Sequence, residues 1–219
     1  MIDLIGLISI TLVIILTIIL AFRFQSVSKI LYTALILRFL LLLLGNYVIT
    51  LPDSTSDALA FEARAWAMSQ DTLGNIIKTY KPIGSGFYVW LISILYNLFG
   101  RSVLMIESMS LLFGMGSVFI GWKIAKILYN EEIAIKVGWL IALFPTLILY
   151  SVLVLREAYI CFFLLLAIYG VVSWIKNNNF KSFFYIILGF VIATLFHGAM
   201  AVGGITFLLL MISLFLKKF

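Results

Sequence analysis

Apolar runs long enough to cross a lipid bilayer recur along almost the whole chain, and they constrain the fold more than any motif does. A mean hydropathy of +1.22, with 64% hydrophobic and only 11% charged residues, excludes an ordinary soluble domain. Because backbone amides in lipid must bond within their own segment, such runs form helices. The sequence therefore predicts an all-α, polytopic membrane helical bundle, with residues 1–219 as a single membrane domain.

Seven spanning helices are predicted, and one further segment, 83–98, is ambiguous. At a rise of ~1.5 Å per residue, this segment is at the short limit for crossing a hydrocarbon core of ~30 Å. It is therefore either a short, partly inserted helix or an eighth span. The seven predicted spans are 2–22, 30–51, 103–125, 133–151, 158–175, 182–197 and 199–216.

Basic residues in the connections predict the orientation. If 83–98 does not cross, most of them fall on one side, which is then cytoplasmic, and the long 52–82 loop is extracytoplasmic. If 83–98 crosses, the loop becomes cytoplasmic, and charge counting does not exclude this. The net charge of +6 reflects orientation, so no nucleic-acid partner is predicted. The basic residues of the first group are Arg23, Lys29, Lys123, Lys126, Lys176, Lys181, Lys217 and Lys218.

The 52–82 loop is the only long segment that is not built to sit in lipid, and it holds four of the nine acidic residues. Its spacing predicts an amphipathic helix that starts near Asp57. An apolar stripe runs through Phe61 and Ala65, and Glu62 lies on another stripe with Ser69. This pattern is typical of short helices that lie in the membrane interface.

Asp57 is the first candidate for a catalytic residue. A carboxylate just outside the lipid can activate a hydroxyl acceptor, or it can help to bind a metal ion. The alternative is structural, because an acid in the first turn of a helix is favoured by the helix dipole. Both interpretations stay open on the spacing alone.

Arg156 and Glu157 form the second candidate pair, adjacent in sequence and flanked by apolar residues. Ionisable residues at the edge of membrane helices are costly and therefore suggest function. A guanidinium at position 156 can donate two hydrogen bonds to a phosphate, and Glu157 can supply a second acid. The alternative is a salt-bridged helix start at the interface.

Three other polar residues interrupt the apolar runs. His197 ends a predicted helix, where it can serve as a metal ligand, a proton carrier or a phosphate contact, or merely form a hydrogen bond. It is the only histidine, so a multi-histidine metal site within the chain is excluded. Arg38 and Glu107 lie nearer membrane depth and are interpreted as structural, either paired with each other or with Arg38 snorkelling.

Four segments between 38 and 174 follow one another in a fixed order. They are SDALAFEARAWAMSQ, GSGFYVWLISILYNLFGRS, WKIAKILYNEEIAIKVGWLIALFP and TLILYSVLVLREAYICFFLLLAIYGV. In this order they resemble the N-terminal part of the GT-C superfamily of membrane glycosyltransferases. The resemblance is closest in style to glycosyltransferase family 39, with its dolichyl-phosphate-mannose-protein mannosyltransferase-like members.

The resemblance implies a site. The family has a catalytic aspartate in its first outer loop, where Asp57 stands here, and a second acid at the start of a later helix on the same side, where Glu157 stands. Some members need a divalent metal, so Mg or Mn would be held by Asp57, Glu157 and His197. The family also places short interfacial helices in this loop, which favours a segment 83–98 that does not cross. The implied substrate-binding residues are Arg156, His197, Glu62, Lys81 and Tyr80.

The implied function is transfer of a sugar from a polyprenyl-phosphate-linked donor to an acceptor hydroxyl on a glycan, a lipid or a protein. The expected location is the plasma (inner) membrane, with the active site on its outer face. The alternatives are a polymerase or ligase for lipid-linked glycans, a non-enzymatic transporter or scaffold subunit, and an inactive truncated family member. Because family members are usually longer, a missing C-terminal part or a partner subunit is left open.

Overall fold

A computed structural model describes residues 3–80, 83–177 and 181–216. Every regular element within these residues is helical, which confirms the predicted all-α fold. In chain order, the elements are α1 (Leu4–Arg23), α2 (Gln25–Tyr47), a π-helical turn (Ser54–Ala58), α3 (Leu59–Ser69), α4 (Leu73–Lys78), α5 (Ser85–Phe99), α6 (Val103–Leu128), α7 (Glu131–Leu143), α8 (Pro145–Tyr150), α9 (Glu157–Asn177), α10 (Lys181–Phe196) and α11 (Met200–Leu216).

Four of these helices, α1, α2, α6 and α9, are long and apolar enough to cross a membrane. They correspond to the predicted spans 2–22, 30–51, 103–125 and 158–175. Helices α5, α10 and α11 are also apolar but contain shorter apolar stretches. The chain is therefore a membrane helical bundle, as expected from its hydropathy.

The predicted span 133–151 is not one helix. Proline lacks a backbone N–H and disfavours the helical conformation in the residue before it, and Phe144 is accordingly extended, with ψ of 116°. Helix α8 resumes at Pro145 and ends at Tyr150. The next five residues, 151–155, are buried but not helical, so helical structure stops at Tyr150 and resumes only with α9. Such backbone is tolerated at membrane depth only where protein surrounds it.

Helices α1 and α6 begin side by side, and we call this end of the bundle the near end. The hydroxyl of Ser102, just before α6, donates a hydrogen bond of 2.6 Å to Oδ2 of Asp3, just before α1. Helix α2 runs the opposite way, because Asn46 in its last turn donates to Oε2 of Glu107 in the first turns of α6, at 2.8 Å. The near end therefore collects the end of α2 and the long loop that follows it.

Helix α9 runs parallel to α6 and also begins at the near end. Phe113 packs against Tyr159, and further along Lys123 lies over the ring of Tyr169. Helix α10 packs back along α9, with Gly189 lying against the α9 backbone. The start of α9 and the end of α10 thus meet at the near end.

Helices α3, α4 and α5 form a small layer at the near end. Helices α3 and α5 run parallel, because Phe61 contacts Tyr88 and Trp66 contacts Tyr96, with ring centroids 5.7 and 6.3 Å apart. The N–H of Gly84, just before α5, donates to a carbonyl in the last turn of α10 at 2.8 Å. The other end of α5 leads directly into α6. Both ends of α5 therefore lie at the near end.

The buried face of α3 differs from the predicted stripes. Glu62 and Ser69 were expected on a separate polar stripe, but they are buried together with Phe61 and Ala65. This face packs against α5, and it tolerates a carboxylate because Arg101, just beyond α5, neutralises Glu62. The prediction of two separate stripes is therefore wrong, although the helix itself is confirmed.

Candidate active site

Two acids selected from the sequence line one cavity at the near end, which we call the outer cavity. Asp57 lies exposed in the π-helical turn, and Glu157 is the partly exposed first residue of α9. The structure brings them together because the break after α8 returns the chain to the near end before α9 begins. The outer cavity has a volume of about 200 Å³, and its lining residues are Asp53, Ser56, Asp57, Tyr150, Leu155 and Glu157.

Asp53 and Tyr150 join the long loop to the end of α8. The phenol of Tyr150 donates a hydrogen bond of 3.1 Å to Oδ2 of Asp53. This hydrogen bond to a carboxylate favours the neutral phenol and raises the pKa of Tyr150. Asp53 has φ of 63°, a left-handed conformation that aspartate adopts more readily than most residues. The loop is thus fixed at the mouth of the outer cavity.

Arg156 connects three helices beside Glu157. Its Nη1 donates to the carbonyl oxygen of Phe196 at 3.2 Å, and its Nε lies 3.8 Å from Oε1 of Glu157. Nη1 is also 3.6 Å from the position that a Cβ on Gly84 would occupy. Gly84 has φ of 82°, which favours glycine, and so its backbone can turn beside the guanidinium. Arg156 therefore holds the end of α10 against the start of α9, beside the turn that leads into α5.

A second cavity of about 220 Å³ borders the other side of the π-helical turn and is lined in part by Glu62, Arg101 and Glu107. Both carboxylate oxygens of Glu62 accept hydrogen bonds from Arg101, at 2.8 and 2.9 Å. These hydrogen bonds raise the pKa of Arg101. Glu62, which was predicted to bind substrate, is thus held by a protein cation in this structure.

Arg38 and Glu107 were interpreted as structural, either paired with each other or with Arg38 snorkelling, and the structure gives them different partners. Glu107 accepts the hydrogen bond from Asn46 described above. Arg38, only 1% exposed, donates from Nη1 to the carbonyl oxygens of Ala142 at 3.0 Å and Ala34 at 3.3 Å. Ala142 lies in the last turn of α7, where carbonyls lack helical partners. Pairing with Glu107, one of the two alternatives, is therefore wrong, and the buried guanidinium instead satisfies a carbonyl beside the break at residue 145.

The remaining predicted site residues lie elsewhere. His197 is exposed just beyond α10 and is not among the residues that line the outer cavity. Tyr80 is partly exposed and packs against rings of α5, and Lys81 lies outside the described residues. In the described ranges, no three His, Cys, Asp or Glu side chains are arranged to hold a metal ion. The structure therefore does not assemble a three-ligand site from Asp57, Glu157 and His197.

Comparison with known families decides the class of protein. A family model described as dolichyl-phosphate-mannose-protein mannosyltransferase matches residues 84–218, the greater part of the chain. The chain belongs to this mannosyltransferase family. Membership indicates a membrane glycosyltransferase of the GT-C type, which confirms the resemblance seen in the sequence. No curated protein and no solved structure matches the chain.

The family model of this mannosyltransferase family matches residues 84–218, whereas the resemblance noted in the sequence covers residues 38–174. The matched range contains Arg156, Glu157 and His197 but begins after Asp57. Glu157 thus lies inside the matched region and Asp57 outside it, and the roles of both residues stay predictions.

Sequence reasoning missed Asp53, Tyr150 and the pairing of Arg101 with Glu62, which shape the site of this mannosyltransferase family member. One signal for Asp53 was present, because Pro-Asp before a predicted helix is a typical turn sequence. Tyr150 carried no signal, since it sits in an apolar run that resembles a continuous helix. Arg101 was visible as a near-end cation, but its partner Glu62 is far away in the sequence. Such pairings follow from the packing of α3 on α5, which no local pattern specifies.

Proposed function

We propose that this protein transfers a sugar from a polyprenyl-phosphate-linked donor to an acceptor hydroxyl at the extracytoplasmic face of the membrane. The observation that carries the proposal is the common cavity of Asp57 and Glu157. Family membership supports the reaction class, and the cavity provides a place where two acids, distant in sequence, can act on one substrate. The acceptor is a glycan, a lipid or a protein.

In the proposed reaction, Asp57 acts as the general base. It takes the proton of the acceptor hydroxyl as that oxygen bonds to the anomeric carbon of the sugar. The bond from this carbon to the phosphate oxygen breaks, and the phosphate leaves with the electron pair. Glu157 is the second carboxylate, placed to stabilise positive charge on the sugar ring. Arg156, next to Glu157, is the proposed contact for the donor phosphate, with His197 as a second candidate. Glu62, Tyr80 and Lys81 are further candidates for binding substrate.

The distribution of charge supports an extracytoplasmic near end. Basic residues stand in the last turns of α1, α6 and α9, at the opposite end of the bundle, while Arg101 and Arg156 lie at the near end. Because basic connections stay in the cytoplasm, this opposite end is the proposed cytoplasmic side. Both ends of α5 lie at the near end, which supports the proposal that α5 does not cross the membrane.

A requirement for Mg or Mn is a separate prediction. Asp57 and Glu157 share a cavity with Asp53, yet within the described ranges no three such side chains fit one ion. No step above is therefore assigned to a metal. Transfer assayed in EDTA, with and without added Mg or Mn, tests the requirement. Recovery on adding an ion supports it, and unchanged transfer in EDTA contradicts it.

The test of the proposed function compares two aspartates of the same loop. Purified protein is given a panel of polyprenyl-phosphate sugars and acceptors, and Asp57→Asn is compared with Asp71→Asn. Asp71 is exposed and does not line the outer cavity, and its carboxylate accepts local hydrogen bonds from Thr72 and Asn75. Loss of a general base lowers the rate by about 100-fold or more, so Asp57→Asn should lose transfer while Asp71→Asn keeps it. Transfer that does not depend on Asp57, or no transfer, contradicts the proposal.

The product distinguishes this function from that of a polymerase. A transferase adds a single sugar to each acceptor, whereas a polymerase of lipid-linked glycans makes a ladder of repeats. Mass spectrometry of the product therefore decides between the two activities in the same assay.

A further inference from the structure

A third, smaller cavity lies deeper in the bundle, between α2, α6, α7, α8 and α9. We call it the inner cavity. Its volume is about 40 Å³, and Arg38 and Glu157 both line it. Within the described ranges, Nε of Arg38 and Oε2 of Glu157 are each buried and have no hydrogen-bond partner. Buried polar atoms are rarely left unpaired in native proteins, so two such atoms at one cavity require an explanation.

The inner cavity has the size and the chemistry to hold water. A water molecule needs about 10–15 Å³ of probe-occupied volume and two to four polar partners. Nε of Arg38 supplies a donor, and Oε2 of Glu157 supplies an acceptor. The hydroxyls of Ser117 and Ser151, which also line the cavity, donate to backbone carbonyls and keep lone pairs that can accept.

Close packing around Arg38 defines the cavity wall. A Cβ on Gly114 would lie 3.6 Å from Nε of Arg38 and 2.4 Å from Cβ of Ser151, so only glycine fits there. The missing side chain lets the buried segment 151–155 lie against α6 and leaves Nε facing the cavity region. The guanidinium is fixed by its hydrogen bond to Ala142, so its position does not depend on substrate.

Glu157 connects the inner cavity with the outer one. Glu157 and Tyr150 line both cavities, whereas Asp57 lines only the outer one. Arg156 does not fix the carboxylate by a hydrogen bond, since 3.8 Å between Nε and Oε1 is too long for one. Among the described residues that line the inner cavity, Arg38 is the one cation.

We propose that water in the inner cavity joins Nε of Arg38 to Oε2 of Glu157, which makes Arg38 the positioning residue for this carboxylate. The water-bridged pair would hold Glu157 in one orientation at the outer cavity. The role of Arg38 in catalysis rests on the proposed function. The water bridge between Arg38 and Glu157 does not depend on it.

The first arm of the test does not depend on activity. The melting temperature is measured for Arg38→Met, Glu157→Gln and the double variant in detergent. If water joins the two side chains, the double variant loses less melting temperature than the sum of the two single variants, because the second change removes an interaction that is already broken.

Arg38→Met combined with Glu107→Gln is the matched control. Its losses in melting temperature are expected to be additive, because Glu107 bonds to Asn46. Additive losses for Arg38 and Glu157 overturn the proposal. If Arg38→Met does not fold, Arg38→Lys takes its place.

The second arm separates positioning from a purely structural role. Arg38→Met should lower kcat by about 10- to 100-fold, the range expected for a displaced catalytic group, with KM changed little. The same change in a Glu157→Gln background should then have little further effect on kcat. An equal loss of kcat in both backgrounds overturns the positioning role. If the wild-type protein transfers no sugar, the proposed function fails, and the melting-temperature cycle still decides the pairing.

Discussion

The α9–α10 pair and the near end of the bundle are held together in opposite ways. Between α9 and α10, glycine lets the backbones meet: a Cβ on Gly189 would lie 2.5 Å from the backbone nitrogen of Ala167. At the near end, short helices and loops are joined by side chains, as in the Glu62–Arg101 ion pair and the Tyr150–Asp53 hydrogen bond.

The difference follows from the surroundings of each region. Lipid provides no hydrophobic drive between helices, so close packing of small residues stabilises the α9–α10 pair. The near end contains non-helical backbone and charged groups that need named partners. Polar side chains are therefore concentrated at the end where the proposed chemistry takes place. Four substitutions test this difference between the near end and the helix-packed α9–α10 pair.

The largest expected effect is on transfer at the near end. Glu157→Gln removes the second carboxylate and should lower the transfer rate by about 100- to 10,000-fold, with the protein still folded. Glu132→Gln is the matched control, because Glu132 is exposed on α7 and bonds only to Lys136 in the described structure. The rate is measured by sugar transfer and folding by size-exclusion chromatography. A rate close to wild type would remove Glu157 from the proposed mechanism.

The next effect is on stability in the helix-packed region. Gly189→Val places a side chain where the α9 backbone lies and should destabilise the protein by about 3 kcal/mol. Gly74→Ala is the control, since nothing lies within 4 Å of its added Cβ and alanine favours helix α4. Thermal unfolding in detergent measures both. An unchanged melting temperature for Gly189→Val would show that α9 and α10 separate more easily than their packing indicates.

A smaller loss of stability is expected at the ion pair. Arg101→Gln leaves the Glu62 carboxylate, only 6% exposed, without its cation. The cost is about 1–2 kcal/mol, below that of a fully buried pair because the Arg101 side chain is 47% exposed. Hydrogen exchange should increase in α3, which packs on α5 through this contact. Adding Glu62→Gln should recover much of the loss, and a double variant as unstable as Arg101→Gln alone would contradict the ion-pair explanation.

The smallest effect concerns the loop contact. Tyr150→Phe removes the hydrogen bond to Asp53 and should reduce transfer several-fold. Because this bond raises the pKa of Tyr150, its contribution to stability is complete below the ordinary tyrosine value of 10.0. It is lost as the pH rises through the higher pKa of the folded protein. Melting temperatures of wild type and Tyr150→Phe should therefore converge at alkaline pH, whereas Tyr129→Phe, an exposed control, should not differ at any pH.

Hydropathy and spacing predicted the class of fold because they report directly on lipid contact. The helices α1, α2, α6 and α9 could be predicted from their apolar runs without any knowledge of tertiary contacts. The acids Asp57 and Glu157 could also be selected, since charged residues beside apolar helices are unusual. The contacts of the near end were harder to predict from the sequence, because they join the 52–82 loop to residues far along the chain.

The segment 151–155 shows why the remainder could not be predicted. Its sequence, SVLVL, reads as a continuation of the helix, and its side chains are indeed buried. Whether buried apolar residues are helical depends on what surrounds them, and here Gly114 opens space for a non-helical backbone. The positions of Tyr150 and Glu157 follow from that break, so the cavities could not be derived from local pattern.

The same segment constrains the order in which the protein assembles. A stretch of backbone without a complete helical ladder cannot enter lipid alone, because its amides would have no partners. Helices α2, α6 and α9 must therefore already be in the bilayer before residues 151–155 reach their final place. During biogenesis, the polypeptide between α7 and α9 would therefore take up its final structure only after these helices have come together.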